Sequence, residues 1–260
     1  MKRLALLLLV VATNALAQLH SPSPQVLVPA AGALAGENGT FFRSDMAIFN
    51  YRNDFQTVLL QWFPRGVSGA GGPSVQIRLN PLSGIISQDF VTDILHQTGL
   101  GAIRVSAVGG DGIAVDPAGR LVVTARIWTP QPGSNGGAVS QTFPTIATSE
   151  INTVAPAILG QRISDQYRTN VGIVNFSAAE VTFDVLQNSD VETFAPIVQQ
   201  VTVPPFSMQQ VAAQNFPSSA LQIRVTPRSA IAANQWIAYG SSVDNVTGDS
   251  WSSLGMTVNP

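Results

Sequence analysis

A nine-residue segment occurs twice in this chain. Phe42-Arg43-Ser44-Asp45-Met46-Ala47-Ile48-Phe49-Asn50 returns 125 residues later as Tyr167-Arg168-Thr169-Asn170-Val171-Gly172-Ile173-Val174-Asn175. Aromatic, Arg, small hydroxyl, Asx, apolar, small, Ile, apolar and Asn recur in register. That spacing suits two ordinary domains, so the chain reads as one module written twice.

Each copy continues in the same way. Val58, Leu60 and Trp62 share a parity against Thr57, Leu59 and Gln61. Val181, Phe183 and Val185 do the same against Thr182 and Asp184. Both read as half-buried strands, the first stopped by Pro64-Arg65-Gly66 and the second by Asn188-Ser189-Asp190. Further on, 77–83 aligns with 201–207, a strand ended by Pro, which has no N–H to give. Next, 102–106 aligns with 222–226, and 121–127 with 236–242. Val28-Pro29 is matched to Phe143-Pro144 at the two openings.

One helix is expected, between Ser87 and Gly99. Phe90, Val91, Ile94 and Leu95 have i, i+3, i+4 spacing, Ser87 stands where a cap belongs, and Gly99 suits the left-handed end. Its counterpart, 208–216, is Gln-rich and reads as a turn or an irregular crossing. The fold class is therefore all-β: two tandem immunoglobulin-like antiparallel β-sandwiches with one short helix.

The chain opens with Lys2-Arg3, an apolar run over 4–12 and Ala15-Leu16-Ala17, the pattern of a signal peptide cut before Gln18. The run is too short for a bilayer, which needs about 20 apolar residues, and no later run replaces it. The layout is thus signal peptide 1–17, flexible lead-in 18–25, first module 26–130, linker 131–140 and second module 141–260. Apolar residues near Ile146, Val154 and Ile158 are the ones available to join the modules. Export places the protein in the periplasm, at the cell surface or outside the cell.

Composition narrows the partners. Losing Lys2 and Arg3 from 13 basic residues leaves 11, all Arg, against 15 acidic, a net charge of −4. Such a chain has no clustered cations for nucleic acid or anionic lipid. No cysteine is present, which excludes disulfides, thiolate chemistry and lipid attachment at cysteine. Charged residues are 11% of the chain, well under the usual quarter or so.

The duplicated aromatic-Arg-[Ser/Thr]-[Asp/Asn] segment, with Gly101-Ala102-Ile103-Arg104-Val105 and the 239–249 stretch, resembles a group of exported bacterial proteins with tandem immunoglobulin-like β-sandwich repeats. The resemblance covers nearly all of 26–255. It implies a scaffold and carries over no catalytic residue. The first copy departs from the pattern at its end, where Ile127-Trp128-Thr129-Pro130 replaces the 244–249 turn.

Arg43 and Arg168 sit beside predicted strands in a charge-poor chain and are expected to be structural ties to backbone carbonyls or to Asp45 or Asp165; the competing reading is an anion clamp. Asn50 and Asn175 are expected to bond the backbone of the following turn. Asp244 and Asp249 offer hard oxygen ligands for calcium, although Val246 breaks the EF-hand spacing and a hairpin turn is preferred. The loop 109–119 widens the first module. His20 and His96 have no second ligand at a metal spacing, and Gly66-Val67-Ser68-Gly69-Ala70 misses the nucleophile-elbow pattern. With no lysine left after cleavage, Ser–Lys and Schiff-base chemistry is excluded.

Trp62 has core parity. Trp128, Trp236 and Trp251 lie near strand ends, where an indole stacks on a sugar face or closes a core. The leading expectation is an exported non-enzymatic protein without cofactor, in a structural, adhesive or protein-interaction role. A carbohydrate-binding module using those tryptophans is the alternative, its partner a surface glycan. A protease inhibitor presenting the 64–73 loop comes third.

Overall fold

A computed structural model describes residues 21–36, 39–131, 136–189, 195–214 and 220–257. The expected signal peptide and the start of the lead-in lie outside the described residues, as do 132–135 of the expected linker and Asp190 of an expected turn. The fold is nearly all β, and every named strand pairing is antiparallel. Among the described residues no helix is long and apolar enough to cross a membrane.

The first half contains β1 (Gln25–Ala35), β2 (Phe41–Asn50), β3 (Gln56–Pro64), β4 (Ser74–Leu79), β5 (Gly84–Ser87), α1 (Phe90–Asp93), β6 (Gly99–Val108), β7 (Leu121–Pro130), β8 (Ala138–Thr142) and β9 (Ile146–Ala147). The second contains β10 (Ala157–Arg162), β11 (Tyr167–Asn175), β12 (Val181–Ser189), β13 (Ile197–Val203), β14 (Ser207–Ala212), β15 (Ala220–Pro227), β16 (Trp236–Asp244) and β17 (Ser250–Leu254). In the first half β5-β2-β7-β8 faces β4-β3-β6-β1, with β9 on the edge of β1; in the second, β14-β11-β16-β17 faces β13-β12-β15-β10. Counterpart strands occupy counterpart places. Of the immunoglobulin pairings, second strand with fifth (β11, β14) and third with sixth (β12, β15) are present, while the first, fourth and seventh strands lie in the opposite sheets to the constant-type order.

Finer features recur as well. Register shifts between Val28 and Ala31 in β1 and between Ile158 and Gln161 in β10, so each opening strand carries a bulge at the same depth. This corrects the match of Val28-Pro29 to Phe143-Pro144: the partner of Val28 is Ile158, and Phe143 follows β8. Leu82 (φ 46°) and Phe206 (φ 47°) are both left-handed residues after a proline.

Three apolar clusters hold the molecule. One fills the first half between β2/β7 and β1/β3/β6, and includes Ile48, Leu60, Trp62, Ile103 and Val123. A second fills the other half around Phe183, Val225 and Trp236. The third lies between the halves, where Leu27, Phe63 and Phe143 meet Val174, Met208, Ile237 and Tyr239. The outer face of β1/β3/β6 is thus laid on the outer face of β11/β14/β16. Because β1 and β16 are covered on both sides, they read as nearly continuous apolar runs rather than alternating ones.

Polar contacts register this seam. The Gly66 amide donates to the Met208 carbonyl at 2.9 Å and the Ser207 hydroxyl to the Pro64 carbonyl at 2.7 Å. Of the residues expected to join the modules, only Ile146 packs there; Val154 is 58% exposed and Ile158 belongs to the second core.

Three further expectations are corrected. The helix is a single turn, and Ser87 belongs to β5, its hydroxyl accepting from the Asp89 amide at 3.2 Å. The chain leaves the helix through His96 at φ 55°. Its counterpart is β14, whose Gln-rich sequence suits an edge strand lying on the other half. Finally, 138–140 at the end of the expected linker belong to β8, which pairs with β7 as β17 pairs with β16, and the chain passes between halves over 148–156.

Candidate functional site

The two halves differ at one end. In the first, β1 runs on to Ala35 and pairs with β2 through Leu34–Phe42 and Ala35–Phe41, which joins the two layers. In the second, β10 stops at Arg162 and forms no strand ladder with β11, so side-chain bonds rather than a ladder connect the layers there. Their open end forms a depression of about 300 Å³ lined by Gly160, Arg162, Tyr167, Asp244, Asp249 and Trp251.

Each of these groups is held in place. The Trp251 indole N–H donates to the Gly160 carbonyl at 2.8 Å, and Gly160 sits at φ 76°, the left-handed region that its missing Cβ permits. Tyr167 meets Trp251 edge to face, with centroids 6.0 Å apart. The Arg162 guanidinium carbon lies 5.4 Å from the Tyr167 ring centroid, a cation–π contact. Behind them, the Thr169 hydroxyl bonds the Arg162 carbonyl, and the Ser242 hydroxyl donates to Gln161 Oε1 at 2.7 Å. Tyr167 and Trp251 are partly exposed and Arg162 is exposed.

Asp244 closes the β16–β17 hairpin. Its Oδ1 accepts from the amides of Val246 at 2.7 Å and Thr247 at 3.2 Å, and its Oδ2 from Gln166 Nε2 at 3.0 Å. The Val246 amide is the main cause that holds this carboxyl below the usual carboxylate range. Asp249 is exposed, and its Oδ1 accepts from the Ser250 amide at 3.0 Å. Among the described residues no three His, Asp or Glu side chains gather as a metal-binding group.

Elsewhere the predicted residues separate. Trp236 is corrected: it is fully buried and packs on Phe183 at 4.9 Å, so it presents no face to a ligand. Trp128 donates to the Gln88 carbonyl at 2.9 Å and has Arg43 5.9 Å from its ring, on the first half.

The two asparagines do the same work. Asn50 Nδ2 donates to the carbonyls of Asp54 and Asn80 at 2.8 and 2.9 Å, and its Oδ1 accepts from the Arg52 amide. Asn175 Nδ2 donates to Ala179, Val203 and Pro204, and its Oδ1 accepts from the Ser177 amide at 3.0 Å. Each ties one turn to another from a fully buried position.

The arginines, by contrast, diverge. Arg43 pairs with Asp89 at 3.3 Å and lies against Phe41, while Asp45 belongs to Arg126. Arg168 is corrected as a backbone tie: it bonds the Asn245 side chain and lines a cleft between the halves. The 64–73 loop is fastened to the second half at Gly66 and again at Gly69, whose amide donates to the Pro205 carbonyl at 3.0 Å. In the widened 109–119 loop, Asp111 caps the Ile113 and Ala114 amides and Asp116 pairs with Arg52 at 2.8 Å.

Sequence reading missed Tyr167 and Arg162 as partners of Trp251. Tyr167 was visible as the aromatic of the repeat, but only the early end of β10 exposes it. No family model, curated protein or solved structure matches the chain.

Proposed function

We propose that this is an exported, non-enzymatic binding protein that holds a saccharide at the open end of its second half. One observation carries the reading: Trp251 and Tyr167 are set at fixed angles in a depression rimmed by Arg162 and Asp249. A sugar ring offers an apolar C–H face for the indole and hydroxyls for charged groups at the edge. Because the Trp251 indole is already fixed by Gly160, little side-chain entropy remains to be lost on binding. The matching strand orders support reading the halves as copies of one β-sandwich unit that keeps two of the immunoglobulin pairings.

The test is tryptophan fluorescence of the 18–260 protein titrated with xylo-, chito- and galacturono-oligosaccharides, each mixture also assayed for cleavage products. The expected outcome is saturable binding of at least one oligosaccharide, abolished in Trp251→Ala, weakened in Tyr167→Ala and retained in Trp128→Ala, with the sugar recovered intact. Binding indifferent to Trp251→Ala, no binding at all, or turnover of the bound sugar would each defeat the reading.

A further inference from the structure

A second cavity, of about 350 Å³, lies at the mouth of the seam between the halves. One part of its wall is apolar, with Leu34, Phe42, Ile127 and Phe143 from the first half and Val243 from the second, and hydroxyl and amide side chains such as Thr129, Gln141 and Asn170 line the rest. Arg65 and Arg168 also line it, one from each half, and among the described residues no carboxylate does. Neither arginine forms an ion pair among the described residues.

Among the described residues both side chains are anchored by neutral groups. Arg65 donates from Nε to Gln209 Oε1 at 3.3 Å and from Nη2 to the Gln210 carbonyl at 3.0 Å. Arg168 donates to the Asn245 side chain in the β16–β17 turn. Two guanidinium groups beside a wall of aliphatic and aromatic carbon fit one kind of small ligand: an apolar body carrying a carboxylate. The guanidinium fork matches a carboxylate's two oxygens, and the wall removes the body from water.

From this geometry we infer that the inter-half cleft is a binding site for an amphipathic carboxylate, such as a medium-chain fatty acid or an aryl-alkanoate. The site is separate from the saccharide depression, since Arg168 and Tyr167 are neighbours on β11 and so face opposite sides of the sheet.

The test is isothermal titration of the 18–260 protein with decanoate below its micelle-forming concentration, with decanol and acetate as partial ligands. Decanoate is expected to bind at least about tenfold more tightly than decanol, a gap of about 1.4 kcal/mol, and acetate not measurably. Arg168→Gln and Arg65→Gln should each weaken decanoate by about tenfold or more and leave decanol unchanged. Since Arg65 also bonds across the seam, Val139→Trp, which fills the cleft and keeps both arginines, should exclude decanoate with the unfolding transition intact. Trp251→Ala should retain decanoate binding, so failure here is distinguishable from failure of the saccharide reading. Equal affinity for decanol, undiminished binding in Arg168→Gln and Val139→Trp, or no decanoate binding would overturn the inference.

Discussion

At the scale of single residues, the two buried asparagines explain why their segment is repeated. Asn175, fully buried, supplies donors to three carbonyls and an acceptor to the Ser177 amide. Asn175→Ala is expected to destabilise the protein by about 1–3 kcal/mol in urea unfolding, because buried acceptors are left unpaired. Asp244 gives a pH-dependent counterpart. Its folded-state carboxyl is held below the ordinary value of about 3.9, so its ionised form contributes stability above that pH and loses it as pH falls through the folded-state value. Asp244→Asn should therefore be less stable than the parent protein at pH 7, with the gap closing in strong acid. Denaturant midpoints measured across pH check this; a gap that widens in acid contradicts it. The asparagines were legible in the sequence because a buried amide serves a local turn. The arginines were not, because Arg43 and Arg168 take their partners from Asp89 and Asn245, far away along the chain.

At the scale of elements, period-two parity identified β3 and β12, and proline identified the ends of β4 and β13. What parity missed were strands whose second face is covered by the other half. Met208, which read as the start of an irregular crossing, is fully buried in the seam as part of β14. The 87–99 segment has helical spacing, yet only Phe90–Asp93 is helical, since the chain must turn at His96 to begin β6. Turn-forming residues near 131 precede β8, which pairs back on β7, because such residues mark a hairpin as readily as a domain junction. The decisive element is β10, which bulges at Gly160 and ends at Arg162. Nothing lies within 4 Å of a Cβ built on Gly160, so Gly160→Ala has only its left-handed backbone to oppose it. A loss of about 1–2 kcal/mol is expected in urea unfolding, together with weaker saccharide binding, because the carbonyl that fixes Trp251 is displaced. Unchanged stability would show that the bulge is not held.

At the scale of the whole molecule, the seam makes the halves one cooperative body. Its cluster includes Leu27, Phe63, Phe143, Met208, Ile237 and Tyr239, with Tyr239 fully buried and its hydroxyl donating to Gln210 Oε1 at 3.1 Å. Burial pushes that phenol well above the usual tyrosine value. The sequence held these residues without revealing their use, because the outward faces of two sheets match only once both are folded. A single calorimetric transition is expected for the parent protein, and Met208→Ala should lower stability by about 2–5 kcal/mol through the cavity it leaves. Two separate transitions in the parent would mean that the halves fold apart. The central claim is that recognition belongs to the open end of the second half, where the repeat is broken. The four tryptophans test it in one experiment, through their indole ¹H–¹⁵N resonances during titration with the oligosaccharide that binds best. The account predicts a saturable shift of Trp251, with Trp62 and Trp236 in the two cores and Trp128 on the first half unmoved. A shift of Trp128 with Trp251 unmoved, or no shift in any of the four, would contradict it.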